Sequence, residues 1–155
     1  MSSIGEAGAI DIGSSNTFIE GRGVKVDIEG RSISVFRHHG ELYALDHHCY
    51  HAGGPLSSSG DIEDLKLKGA THPCVVCPWH KYKISLKTGE GIYKHVDPFS
   101  SRPKAVIKSR GKKQRKHEVF DTEDGRVMIA VNTAEDIKYE SDYYSSEHFQ
   151  LRMRN

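Results

Sequence analysis

Short runs of this chain alternate between apolar and polar residues with a period of two. "VKVDI" carries Val24, Val26 and Ile28 on one side, and "SISVF" carries Ile33 and Val35. The turn "RHHGE" leads into "LYAL" at 42–45, and "YKISL" alternates Tyr82, Ile84 and Leu86 before "TGEG" at 88–91 closes the segment. Near the end, "HEVF" and "RVMIAV" flank the turn-rich "DTEDG". Period-two alternation places successive side chains on opposite faces of a strand. Short strands separated by Gly, Asp and Asn-type turns predict an all-β fold, a small antiparallel β-sandwich or barrel. No convincing helix precedes residue 133. "TAEDIKYESDYY" could start one, with Thr133 as N-cap and acids in the first turn, or form a docked tail.

Two segments interrupt the pattern. Residues 60–73, "GDIEDLKLKGATHP", read as a polar excursion. Residues 108–116, "KSRGKKQRK", carry six basic side chains and no acid, which predicts a solvated loop tip between two strands, with docking of an acidic partner as its functional reading. No aromatic residue interleaves those charges, so a stacking platform for nucleic acid is absent.

The chain has 155 residues, enough for about one domain. Lys plus Arg number 22 against 21 Asp plus Glu, and this balance gives no global drive toward nucleic acid or a membrane surface. No apolar run approaches the length of a membrane span. The first eighteen residues carry neither a basic residue nor an unbroken apolar stretch, so a cytoplasmic protein is expected. Three cysteines, Cys49, Cys74 and Cys77, argue against a disulfide framework and leave metal or redox chemistry open.

Two Cys-plus-His pairs concentrate the chemistry. Cys49 and His51 form C-x-H within "HHCYHAGGPL", and Cys77 and His80 form C-x-x-H within "CPWH". Each pair lies in a Gly/Pro-rich turn beside a strand. Two thiolates and two imidazoles suit a tetrahedral zinc or a 2Fe–2S cluster with the cysteines on one iron and the histidines on the other. One thiolate and one imidazole per loop, with Gly53 and Gly54 permitting close backbone approach and Pro55 stiffening the turn, favour the cluster.

At these residues the chain resembles the Rieske iron–sulfur proteins of the soluble ferredoxin type, nearest to the small vertebrate branch. "CYHAGGPL" and "CPWHKYKISLKTGEG" carry the resemblance, which spans roughly residues 20–132. It sets residues 1–19 apart as an N-terminal segment and 133–155 as a C-terminal extension. The resemblance implies a β-sandwich base with a small rubredoxin-like cluster-binding subdomain, and one 2Fe–2S cluster held by Cys49, His51, Cys77 and His80. The 25 residues between His51 and Cys77 exceed the usual family spacing by about one short loop, assigned to residues 60–73. Asp97 to Phe99 fall where the family places a proline-containing loop that shields the cluster. Rieske subunits of cytochrome bc complexes carry a disulfide across the cluster. The matching positions here are Gly54 and Trp79, so that bridge cannot form. Their serine and tyrosine donors to sulfur match Tyr82 and Ile84.

Two ferric ions, two sulfides and two thiolates sum to zero, so reduction creates a single negative charge. Histidine ligation places such clusters at about −150 to +300 mV. Fewer hydrogen bonds to sulfur predict the low end of that span. The remaining Cys and His residues have bland readings. Cys74 is a small buried or semi-buried residue on the strand entering the second loop, rather than half of a C-x-x-C dithiol. His47 and His48 are flanking residues, His72 is in a loop, His38 and His39 form a hairpin tip, and Trp79 is a cover or packing residue. The expected function is one-electron transfer by a carrier, not an enzyme. Its partners are redox proteins, a reductase as donor and an unidentified acceptor. The alternatives are an obligate electron-transfer subunit of an oxygenase or reductase, and a zinc-held Cys₂His₂ interaction module.

Overall fold

The computed structural model describes residues 8–58, 61–102 and 104–145. Its strands are β1 (Ile10–Ser14), β2 (Gly23–Ile28), β3 (Arg31–His38), β4 (Glu41–Asp46), β5 (Ile62–Leu67), β6 (Ala70–Val76), β7 (Lys83–Ser85), β8 (Glu90–Val96), β9 (Ala105–Lys112), β10 (Lys116–Asp121) and β11 (Arg126–Ala130). The one α-helix among the described residues is α1 (Ser141–Tyr144), beside two single-turn 3-10 helices at Ser15–Thr17 and Leu56–Ser58. The strands form a six-stranded sheet, ordered β1-β11-β10-β4-β3-β2, and a five-stranded sheet, ordered β5-β6-β7-β8-β9. The pairings within both sheets are antiparallel, and the all-β expectation holds.

Alternation explains the layering. In β3, Ile33 and Val35 point to one face and Phe36 to the other, and all three are buried. Ile33 and Val35 join Phe18, Ala44, Val127 and Ile129 in a core that the six-stranded sheet wraps around. Phe36 and Leu45 face the opposite way and pack with Val75, Ile84 and Leu86 of the second sheet. This intersheet core also contains Cys49 and Cys77. Each such fully buried large side chain contributes about 1.5–3 kcal/mol by leaving water. The two cysteines are therefore seated in the most firmly packed region.

Four expectations need correction. The segment read as a polar excursion is, over its described residues 61–73, the β5–β6 hairpin and an integral part of the second sheet, with Gly60 outside the described residues. Glu63, Asp64 and Lys66 are exposed, Ile62 packs against the intersheet core, and Leu65 and Leu67 pack with Cys74, Ile92 and Ile107. Lys68 and Gly69, both left-handed, make the two-residue turn. His72, read as loop, is a half-buried β6 residue whose Nδ1 meets Ser85 Oγ at 3.1 Å. The basic run is not a loop tip. It spans the end of edge strand β9 and the start of β10, and Gln114 and Arg115 within it are buried. Finally, Thr133 starts no helix. The Arg115 guanidinium donates to the carbonyls of Ala134 (2.8 Å) and Ile137 (3.0 Å), which fixes that stretch in a non-helical path until Ser141.

At the N-terminal side, β1 pairs with β11, so residues 10–14 of the segment set apart by sequence are an edge strand of the first sheet. The Asp97–Phe99 turn follows β8, and Phe99 is 94% exposed, so it packs as a cover over nothing described.

Candidate metal centre

Two turns approach each other at one end of the intersheet core. The first follows β4. The Cys49 N–H donates to the Gly54 carbonyl (2.8 Å), and the Gly53 N–H returns to the Cys49 carbonyl (2.8 Å). His48 Nδ1 donates to the Gly53 carbonyl at 3.1 Å. Gly53 lies at φ 84°, which this closed turn requires. Gly54 is needed for space, because a Cβ there would stand 2.7 Å from Cys77 Sγ and 3.1 Å from the Trp79 ring. The second turn follows β6. The Cys77 N–H donates to the Tyr82 carbonyl (2.7 Å), and His80 and Lys81 are consecutive left-handed residues at φ 64° and 59°. Left-handed geometry costs a non-glycine residue about 1–2 kcal/mol. Such strain is retained where the surroundings impose it, typically at functional sites.

The structure brings the four residues singled out by spacing into two pairs, Cys49 with Cys77 and His51 with His80. Cys49 and Cys77 are buried and hydrogen-bond each other. That shared proton eases the first ionisation, lowering Cys77 to about 7, and raises Cys49, whose charge would meet an existing one in a buried site. The His51 and His80 rings stand 5.0 Å apart, edge to face. His51 also stacks on Tyr82 at 3.7 Å, nearly parallel. Burial, His80 and Arg110 all depress the His51 pKa and favour its neutral form. Its Nδ1 is buried without a hydrogen-bond partner. A buried imidazole nitrogen without a partner and a buried thiol pair, carried by the same two turns, are donors of the kind a metal centre takes as neutral imidazole and deprotonated sulfur.

The flanking residues behave as expected. His47 is buried, its Nδ1 is within reach of Ser34 Oγ (2.8 Å) and Ser57 Oγ (3.1 Å), and burial lowers its pKa to about 4. Cys74 is fully buried on β6 in a separate apolar cluster, and burial pushes its thiol up to about 12. Trp79 is 41% exposed beside Gly54.

Three supports were not visible in the sequence. The buried Gln114 side chain donates to the carbonyls of Asp46 (2.8 Å) and His48 (2.7 Å) and accepts from the Tyr50 N–H (2.8 Å), so it holds the backbone on both sides of Cys49. Arg110 lies over the Tyr93 ring (4.3 Å) and the Tyr82 ring (5.7 Å). Tyr144 of α1 donates its hydroxyl to the His51 carbonyl at 3.2 Å. The Gln114 and Arg110 positions sit inside the basic run, and only the strand pairing brings them to the site.

The family model for soluble Rieske-type ferredoxins matches residues 10–134. The chain belongs to the soluble Rieske-type ferredoxins. It is 42% identical to the human Rieske domain-containing protein over 124 residues, which cover 80% of this chain and 74% of that one. It is 28% identical over 74 residues to the ferredoxin component of the naphthalene 1,2-dioxygenase system of Pseudomonas putida, covering 48% of this chain and 62% of that component. Among solved structures, the ferredoxin of carbazole 1,9a-dioxygenase from Nocardioides aromaticivorans superposes with a TM-score of 0.55 at 17% identity, over 81% of this chain and all of that one. This likeness is one of fold. The Rieske ferredoxin family implies a 2Fe–2S cluster, and the buried thiol pair, the unpartnered His51 Nδ1 and the space left by Gly54 fit one. No helix among the described residues is long and apolar enough to cross a membrane.

Proposed function

We propose that this Rieske ferredoxin is a one-electron carrier, with Cys49 and Cys77 holding one iron of a 2Fe–2S cluster and His51 and His80 the other. The observation that carries the reading is the buried, unpartnered Nδ1 of His51, two residues along the chain from Cys49 of the hydrogen-bonded Cys49–Cys77 pair. When bound, the cluster accepts and returns a single electron. The chain's own residues do the rest. Gln114 and the Gly53–Gly54 turn fix Cys49, the strained His80–Lys81 turn aims the second loop, and the Tyr82 ring sets the plane of His51. Iron and acid-labile sulfide analysis of anaerobically prepared protein, with electron paramagnetic resonance after dithionite reduction, tests the reading. A brown protein with two irons and two sulfides and a lowered average g-value is expected. Colourless protein without sulfide overturns it, and zinc in their place would favour a Cys₂His₂ interaction module. A midpoint at the low end of about −150 to +300 mV is expected.

The surface beside His80 supports an acidic redox partner. A groove runs past His80 and Tyr82, lined by Lys81, Lys83, Lys94 and Arg110. The chain as a whole carries a net charge of only +1, so this cluster of cations is a local asymmetry. Docking there would bring an acceptor to the exposed histidine. The similarity to ferredoxin components of dioxygenase systems supports service to an oxygenase or reductase, and we place the protein in the cytoplasm. Reduction of ferricyanide should slow as salt rises, and charge reversal at Lys81 and Arg110 should remove that dependence. A rate indifferent to salt and to both substitutions would sink the docking assignment while leaving the cluster assignment standing.

A further inference from the structure

A second group of metal-ligating side chains lies where the two sheets meet. His38 ends β3, and His39 opens the two-residue turn to β4. Both face Asp64 of β5, which belongs to the other sheet. His38 Nε2 is 3.0 Å from Asp64 Oδ1, and His39 Nε2 is 3.3 Å from Asp64 Oδ2. The three donor atoms all lie within 4.8 Å of one another. We propose that His38, His39 and Asp64 bind one zinc-class divalent cation, which clips the six-stranded sheet to the five-stranded sheet. The proposal concerns residues outside the cluster site and stands or falls independently of it.

The spacing is the first argument. Zinc binds imidazole nitrogen at about 2.0–2.1 Å and carboxylate oxygen at about 2.0–2.2 Å. Neighbouring donors around one such ion are therefore about 3–3.5 Å apart, which is the separation of both His–Asp pairs. The second argument is the outer support. His38 Nδ1 is 3.9 Å from Glu20 Oε2, and Glu20 is itself fixed by the His39 N–H (2.6 Å) and the Gly40 N–H (3.0 Å). At 3.9 Å this is a charge contact rather than a hydrogen bond, and it places a fixed carboxylate on the far side of the His38 ring, which favours a cation bound at Nε2. The third is charge. Asp64 and Glu41 line the same groove as the two imidazoles, with Lys87 as its one cation among the lining residues. Each Asp64 oxygen faces one imidazole Nε2, so a divalent cation would displace the two protons that these hydrogen bonds share and take all three donors. Two imidazoles and one carboxylate select zinc over magnesium or calcium, which prefer all-oxygen shells.

The test uses cluster-loaded protein, so that Cys49 and Cys77 are engaged, stripped of loose metal with a chelator. Zinc chloride is titrated by calorimetry, and thermal unfolding is followed with and without zinc. One zinc per chain is expected, with a zinc-dependent rise in Tm, because a ligand that binds only the folded state stabilises it. Asp64→Asn and His39→Asn should each weaken binding by about tenfold or more and abolish the Tm rise. Magnesium chloride at the same concentration should do neither. His39 is an exposed turn residue (its side chain 74% accessible), and asparagine tolerates its left-handed backbone, so that variant folds. Zinc binding of equal strength in wild type and in both variants, no zinc binding by wild type, or equal stabilisation by magnesium would overturn the proposal.

Discussion

Gln114 shows how one neutral side chain can hold a loop of charged and reactive ones. Its amide satisfies two carbonyls and one N–H around Cys49. Gln114→Ala leaves those groups buried and unpaired, and each such loss costs about 1–3 kcal/mol. A lowered Tm and faster bleaching of the visible absorbance at constant temperature should follow, while Gln114→Glu should recover only the Tyr50 contact. Gly54→Ala tests space instead. A methyl 2.7 Å from Cys77 Sγ forces overpacking worth about 1–3 kcal/mol, and iron content per chain should fall below that of wild type. The sequence singles out Cys49, His51, Cys77 and His80 because thiols and imidazoles at short spacing in Gly/Pro turns have few other uses, and the structure pairs Cys49 with Cys77 and His51 with His80. Gln114 was not, because a lone amide among six cations resembles any solvated residue until strand pairing buries it.

At the scale of elements, legibility followed the strength of alternation. β2 and β3 could be read directly, because apolar residues recur there at every second position, and β4 and β11 stand out as short apolar runs bounded by turns. The β5–β6 hairpin could not. The exposed Glu63, Asp64 and Lys66 break up its apolar positions, and Leu65 and Leu67 pack against a minor cluster rather than the main core. What does mark it is Lys68-Gly69, a left-handed pair fitting a tight turn between paired strands. Gly69→Val places a β-branched residue at φ 81°, which costs about 1–2 kcal/mol. The denaturation midpoint should drop accordingly, with little change at Gly69→Asn. The basic run failed for a related reason. Alternation of Ile107 and Ser109 against Lys108 and Arg110 is visible only once β8 is known to pair with it. Long basic side chains on an edge strand also keep that edge from pairing with another chain.

Across the whole molecule, the stretch that ends in α1 ties the sheets' connecting segment to the strand that leads into the first cysteine turn. Asp46, at the end of β4 and fully buried, accepts from Arg31 (2.6 and 2.8 Å), His117 (2.8 Å) and Ser141 (2.7 Å). Asp142 accepts from Arg31 (2.7 Å) and from both Nε and Nη2 of Arg115 (2.8 and 2.9 Å). Burial by itself would raise both carboxyls, but the hydrogen bonds from Arg31, His117 and Arg115 and the charges of the two arginines outweigh it and hold them below their usual range. The sign of the pH effect follows. An unfolded chain takes up protons at these carboxyls near pH 4, before the folded chain does. The stabilisation is therefore complete above that pH and is lost as pH falls through the lower folded values. Tm should be nearly flat from pH 8 to about 5 with respect to these two groups and then fall steeply. Asp142→Asn removes the charge and weakens its hydrogen bonds to Arg31 and Arg115, which costs about 1–3 kcal/mol at pH 7. Because its folded state no longer holds that low-lying carboxylate, the variant should lose less on acidification, and the two Tm curves should converge toward pH 3. Curves that stay parallel down to pH 3 would show that Asp142 stabilises by packing, not by its charge.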